Sequence, residues 1–483
     1  MVSRRQVLAA AVGASVALGF DPIARSWVAA ANAAGRFDRC PELEGELLTD
    51  PASLAAVASD NGNIIVNTPV AVLRPGSVRD VVEMVRFCRR RGIVVAARGQ
   101  GHTCHGQSLA GGGLVIAMSS LNQIHSISAR GADVDAGATW KSLLQASVPL
   151  GFTPPALTGY TNLSIAGTLS VGGVSATNRQ GAQVDRVQAL EVVTGEGDRV
   201  WCSECDERGL FEAALGGLGQ CGIITRAVLD VIPAPEQARV FVLQYSDNAA
   251  FFRDFRELLR RGEFDGVYNI WVPGESGGFV YQLNAIKWFD AAHPPDDGAL
   301  LRGIEPDAMS ASDSPYLDQV LAVDAQIDFL RSIGLYDGFQ HPWFDVFLPD
   351  SSVEGFVGDV LPTLAPDDVG PVGFLLLFAL KRSQLTRPFL RVPERTEWVW
   401  LFDILTSAAA PGSDPEFVTR MLGRNRQLFE KARALGGTRY PIGALDFDQA
   451  DWRQHYGDMA DRFARLKEKF DPSRILTPGA GVF

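Results

Sequence analysis

The stretch Arg98-Gly99-Gln100-Gly101-His102-Thr103 stands directly after a short apolar run at 94–97 and before a glycine-rich coil at 104–113. Glycine at 99 and 101 lets the main chain approach a charged group closely and take positive φ, so successive N–H groups can cradle a pyrophosphate. No helical pattern follows, which separates this loop from the GxGxxG turn of a dinucleotide fold. Alone, the hexapeptide fits an ordinary turn equally well. Two further blocks, TGYTNLSIAGTLSVGGVS at 158–175 and GGLGQCGIITR at 216–226, make three in one region, which is harder to read as turns.

Around these blocks, from 64 to 232, short β-branched runs alternate with glycine turns. Strands are predicted over 71–74, 94–97, 114–117, 187–194 and 223–232. A helix predicted over 78–91 opens at Ser77 and carries Val81, Val82, Val85, Phe87 and Cys88 on its apolar face. After Pro233-Ala234-Pro235 the texture shifts to longer helices, more aromatics and strands over 267–272 and 374–380, which predicts a second domain. Near the end, a helical period through Met459, Phe463 and Leu466 leads into FDPSRILTPGAGVF at 470–483. Pro478, Gly479 and Gly481 exclude regular helix there, so the tail is expected to lie across another surface.

At 483 residues the chain exceeds one ordinary domain of about 100 to 200 residues. Its 46% hydrophobic and 21% charged residues exclude disorder and a membrane bundle. A net charge of −12 without a basic stripe excludes nucleic acid as a partner. Ser3-Arg4-Arg5-Gln6-Val7-Leu8, the apolar run to Phe20 and Ala31-Asn32-Ala33 read as a twin-arginine export signal over 1–33. The run is shorter than the roughly 18 to 20 residues that span a bilayer. A secreted or periplasmic protein, without stable membrane association after signal removal, is expected. Cys202 and Cys205 are spaced for a small disulfide or a plain turn, and no histidine completes a zinc site, so no metal is expected.

The order of motifs carries a family resemblance. VLRPGSVRDVV at 72–82 and the three glycine blocks resemble the FAD-binding module of vanillyl-alcohol-oxidase-like, PCMH-type flavoproteins. HPWFDVFLPDS at 341–351, LGGLGQCGIITRA at 215–227, the cluster Trp452, His455 and Gly457, and the closing FDPSRILTPGAGVF are similar to cytokinin dehydrogenases. The resemblance implies an α+β, two-domain PCMH-type FAD-binding fold with an inserted α+β substrate domain. In it, 36–233 is the FAD-binding domain, 234–438 the substrate-binding domain and 439–483 a segment returning to the FAD domain. It implies FAD bound through an 8α-histidyl linkage to His102, with contacts from Arg98, Gly99, Gln100, Gly101, Thr103, Gly106, Gln107, Ser164, Gly167, Thr168, Ser170, Gly222, Ile224 and Thr477. A histidine after a glycine on a loop is also poorly suited to a core; Cys104 and His105 are its near alternatives. With no cysteine at 158–163, a single covalent bond is expected. The implied reaction is hydride transfer from a small amine or alcohol donor to FAD, with oxygen or another acceptor reoxidising it.

The chain departs from the family where the proton should move. Gly159 stands at the position of the family's Asp, Tyr268 at or beside that of a second carboxylate, Ala480 at that of a Gln, and Asp345 at that of an Asn. Glycine accepts no proton, which leaves Asp345 and Tyr160 as candidates. A buried carboxyl can be raised toward neutrality, whereas a tyrosine starts near about 10. Asp345 reads equally as a hydrogen-bonding turn residue. A carbohydrate or alcohol oxidase of the same superfamily, and a flavin-holding protein without redox turnover, are the alternative functions. His341 is expected to shape the pocket, and Trp271, Trp288, Trp343, Trp398 and Trp400 to be core or to stack on a planar donor. His125 and His293 are expected to be solvated.

Overall fold

The computed structural model describes residues 17–21, 23–29, 38–273 and 278–483. The first described residues form a small antiparallel sheet of β1 (Ala17–Asp21), β2 (Ser26–Ala29) and β3 (Asp38–Arg39), in the order β2-β1-β3. Phe20 and Trp27 are buried, and Trp27 stacks on Phe87 with ring centroids 5.3 Å apart. The Arg4-Arg5 pair and Ala31-Asn32-Ala33 of the predicted export signal lie outside the described residues.

A four-stranded sheet follows, built from β4 (Glu46–Leu48), β5 (Ala71–Arg74), β6 (Val95–Arg98) and β7 (Leu114–Ala117) in the order β4-β5-β7-β6. β5, β7 and β6 run parallel. Their crossover, the helix Val78–Arg89, buries Val81, Val82, Met84, Val85, Phe87 and Cys88. Asp80 in its first turn is fully buried and accepts three backbone N–H groups, from Glu44, Gly45 and Gly76, at 2.8–2.9 Å. The strand before the phosphate loop therefore ends at Arg98 rather than 97, and the helix stops at Arg89 rather than 91.

Next come β8 (Ile124–Ser128), β9 (Gly131–Asp135), β10 (Phe152–Thr153), β11 (Val187–Val193), β12 (Arg199–Ser203), β13 (Ile223–Leu229) and β14 (Ile232–Pro233). Five of them form a sheet in the order β12-β11-β13-β9-β8, while β10 pairs with β14. The predicted strand 223–232 is thus two strands. Leu229 is the last residue with partners on both sides, Ala132 and Val187, so the ladder ends there. All six cysteines are free, Cys202 buried and Cys205 exposed. Ser203 Oγ accepts the N–H groups of Cys205 and Asp206, both at 3.2 Å, so the segment is a turn and not a disulfide.

The rest of the chain builds one antiparallel sheet of β15 (Gln237–Tyr245), β16 (Gly266–Pro273), β17 (Phe279–Phe289), β18 (Ala308–Pro315), β19 (Phe344–Pro349), β20 (Phe374–Lys381), β21 (Trp398–Leu405) and β22 (Thr438–Arg439). Its order is β18-β15-β17-β16-β20-β21-β19-β22. One face packs on the helices Asn248–Arg261 and Asp350–Val360, where Phe251 meets Trp271, Phe255 meets Trp400 and Phe356 meets Phe402 at 4.8–6.2 Å. The opposite face carries Tyr268, Ile270, Phe378, Leu401 and Leu405 and looks into a cavity. Side chains alternate across a strand, so one largely apolar set packs on the helices and the other faces the cavity.

The tail leaves the helix Ala460–Phe470 and runs beside β6. Val95 N donates to Ile475 O and Thr477 N to Val95 O, each at 2.8 Å. A buried ion pair, Lys467 with Asp471 at 2.8 Å, anchors this strap. Lys467 Nζ donates to the carbonyls of Gln220 (2.8 Å) and Leu476 (3.2 Å), and Asp471 accepts the N–H groups of Ile475 and Leu476. Removing one member of a buried pair strands its partner, at a cost of about 3–5 kcal/mol. Asp471→Ala is therefore expected to lose stability in that range in urea unfolding, far more than the exposed Asp461→Ala.

Candidate active site

β6 ends at Arg98, and the loop Gly99–Thr103 leaves it toward the start of the helix Ile165–Val171. The approach is close enough that a Cβ on Gly99 would lie 1.8 Å from Ser164 Oγ. The loop is pinned from below by Asp60, a residue that reads in sequence as part of an ordinary turn. Asp60 accepts hydrogen bonds from Thr103 Oγ1 (2.9 Å), Gly106 N (2.7 Å) and Gly62 N (3.2 Å). Burial pushes its carboxyl up to about 6, against these bonds and the charge of Arg98.

The loop and the other two glycine blocks open on a cavity of about 840 Å³ that reaches the apolar face of the eight-stranded sheet. Gly99, Gln100, Gly101, His102, Thr103, Gln107, Ser164, Gly167, Thr168, Ser170, Gly222, Ile224 and Thr477 all line it. Two expected contacts do not. Arg98 lines a smaller polar cavity of about 320 Å³ next to the loop, and Gly106 lines neither, because its N–H is committed to Asp60. Thr168 lines the cavity while its hydroxyl accepts from Trp140 Nε1 at 2.8 Å. Thr477 holds a left-handed backbone, φ 51°, and donates its hydroxyl to Gly219 O at 3.0 Å, which brings the tail to the third glycine block.

His102 sits between Tyr160 and Trp343, with ring centroids 5.2 Å from each. Desolvation, with the neighbouring His341 and Arg331, pushes its pKa down to about 3, so the ring is neutral and keeps a lone pair on nitrogen at ordinary pH. Cys104 and His105 do not line the cavity. The buried Cys104 thiol is pushed well above its usual range, which removes the thiolate that would compete as nucleophile.

Of the two proton-accepting candidates, both line the cavity. Tyr160 OH accepts from Arg331 Nη1 at 3.2 Å. Asp345 lies inside β19 and not in a turn, directly opposite Asp403 of β21, which corrects the turn reading. His341, Trp343, Trp288, Tyr268 and Ala480 also line the cavity, whereas Trp271, Trp398 and Trp400 are buried elsewhere. His293 is exposed. His125 is not simply solvated, since its Nε2 lies 2.7 Å from Asp135 Oδ1. Among the described residues no group of three or more His, Cys, Asp or Glu could hold a metal ion.

The profile of an FAD binding domain matches residues 69–203, and that of "Cytokinin dehydrogenase 1, FAD and cytokinin binding" matches 298–483. Cytokinin dehydrogenase 1 of Oryza sativa subsp. japonica is 34% identical over 91% of this chain and 92% of the relative. The chain belongs to the cytokinin dehydrogenase family. An "Uncharacterized oxidoreductase ORF5 in fasciation locus" from Rhodococcoides fascians is 35% identical over 89% of this chain and 97% of that relative. Cytokinin dehydrogenase 4 of Arabidopsis thaliana is 32% identical over 90% and 92%. Family membership makes the protein an FAD-dependent oxidoreductase. The residues fit that cofactor, with a glycine cradle that admits no Cβ at 99 and a neutral imidazole at its edge. Gly99→Ala is expected to lower flavin content at least tenfold, measured as the ratio of flavin to protein absorbance. Adding Ser164→Gly, which removes the colliding hydroxymethyl group, is expected to restore much of it.

Proposed function

We propose that the protein is exported, holds FAD covalently through His102 and oxidises a small, largely apolar amine or alcohol by hydride transfer. The observation that carries this reading is one continuous cavity, with the glycine blocks and His102 at one end and an apolar sheet face at the other. In this reading 36–233 and 439–483 form a split FAD domain, with 234–438 inserted as the donor domain. The strap of 475–477 beside β6 supports the return of the chain to the FAD side. FAD, when bound, supplies a two-electron acceptor, and oxygen or another acceptor takes the electrons onward.

The chain's own residues account for the rest. His102, uncharged, offers a ring nitrogen for attachment. Tyr268, Ile270, Phe378 and Leu401 exclude water from the donor. The donor's N–H or O–H proton has no acceptor at Gly159, where a Cβ would meet only Val323 Cγ2 at 3.9 Å. That space favours a second reading, an alcohol in place of an amine donor. A carbohydrate suits the wall less, since most of its side chains offer no hydrogen bond.

Two measurements test the proposal. Protein recovered from outside the cell is expected to begin after Ala33 and to keep its yellow colour in the acid precipitate, whereas His102→Ala is expected to release all flavin to the supernatant. Colourless wild-type precipitate would refute the covalent bond. Gly159→Asp fits without displacing a neighbour, and a general base contributes about 10²–10⁴-fold. Anaerobic flavin reduction by secondary amines is expected to speed up by at least the lower figure in this variant, while that by alcohols gains less.

A further inference from the structure

The cavity face of the eight-stranded sheet is mostly apolar, with Ser312 and Ser314 at its β18 edge and one pair of carboxyls on its inner strands. Asp345 on β19 and Asp403 on β21 stand directly opposite each other in an antiparallel register, 4% and 3% exposed, and both line the cavity. Directly opposed side chains share a face, with Cβ atoms about 4.5–5.5 Å apart. Both oxygens of Asp345 and Oδ1 of Asp403 are buried and find no hydrogen-bond donor among the described residues. Two ionised carboxylates can only accept, so two such acids placed directly opposite each other can bond only by holding a proton between them. Gly443 leaves the room for it, since a Cβ there would come 2.3 Å from Asp345 Oδ2.

The surroundings set the charge. The cation whose charge reaches Asp345 is Arg439 of β22, buried over the rings of Phe447 (4.6 Å) and Trp452 (5.0 Å) and donating to Gly443 O at 3.2 Å. Tyr440, after β22, and Cys104, beside His102, are the other titratable groups in electrostatic reach, and burial keeps both uncharged. Two buried carboxyls side by side cannot both ionise cheaply, and the charge of Arg439 on Asp345 favours the singly protonated pair with Asp345 as its ionised member. Burial raises Asp345 to about 7 and, with the charge of Asp345, raises Asp403 further.

We infer that Asp345 and Asp403 form one proton-sharing pair that takes the donor's N–H or O–H proton in place of the carboxylate missing at Gly159. This rests on the reading of the cavity as the donor site. The donor's C–H bond breaks and its electron pair leaves as hydride to FAD, which is reduced. The N–H or O–H bond breaks as its proton passes to the Asp345 carboxylate, and a C=N or C=O bond forms. Asp403 stays protonated and acts as a positioning residue, donating its hydrogen bond to Asp345 and lowering the pH at which that carboxylate becomes available.

The holoenzyme tests this in two ways. In infrared difference spectra without donor, wild-type protein at neutral pH is expected to show a protonated-carboxyl C=O band that is absent from the Asp345→Asn/Asp403→Asn double variant; its absence from wild type overturns the pair. In anaerobic flavin reduction, the wild-type rate is expected to rise with pH on a limb near pH 7. Asp345→Asn is expected to abolish the limb and slow reduction at least a hundredfold. Asp403→Leu, which cannot donate, is expected to move the limb up by more than one pH unit, and Asp403→Asn, which can, to return it toward the wild-type position. A limb unchanged in Asp345→Asn overturns the inference. If no amine or alcohol bleaches the flavin, the donor-site reading and the catalytic role fall together, and the infrared band alone still decides whether the pair shares a proton.

Discussion

Lys467 and Asp471 neutralise each other one helical turn apart where water does not reach, and the three segments that build the cavity are tied to that pair. Lys467 holds the carbonyl of Gln220 in the third glycine block and that of Leu476 in the tail. The tail in turn bonds to Val95, the first residue of the strand that delivers the phosphate loop. Two buried charges are costly unless each finds further partners, and here the spare hydrogen bonds of both ions go to the backbone of the segments that must converge. The same device recurs on a smaller scale at Asp60, whose carboxylate gathers Thr103, Gly106 and Gly62 under the loop bearing His102.

Burial governs the chemistry as well as the packing. Water exclusion makes His102 a neutral base-like ring and Cys104 an inert thiol, although both stand in the same short loop. Desolvation disfavours the charged form of each group, which means opposite proton occupancies for an imidazole and a thiol. The same exclusion raises Asp345 and Asp403.

The tight glycine loop was legible because its signal is local. Glycines at fixed places after an apolar run reflect where the backbone must come close, and the contact of Gly99 with Ser164 is that requirement in three dimensions. The helix Val78–Arg89 was legible for the same reason, since its 3.6-residue period is written in consecutive residues. Asp60 and Asp403 were not. Each is a lone acid in an unremarkable stretch, and its importance comes from partners 43 residues away in one case, Thr103, and on a neighbouring strand in the other. Gly106 was misread as a cofactor contact because a glycine in a glycine-rich coil gives no sign of which way its N–H points.

By itself, the sequence showed three glycine blocks around a loop histidine and an α+β pattern in a chain long enough for more than one core, and its family resemblance implied FAD and a glycine at 159 where the family carries an Asp. The glycine blocks and the α+β pattern depend on residue identity and near-neighbour spacing, and the rest on the order of motifs shared with the family. Only the tertiary structure decided which face of the eight-stranded sheet meets the cavity, because both faces are apolar and alternation in sequence cannot tell a covered face from a ligand-facing one. It also decided that Asp345 is paired with Asp403, since register between strands 58 residues apart in the chain is set by packing and hydrogen bonding across the sheet and not by either segment alone.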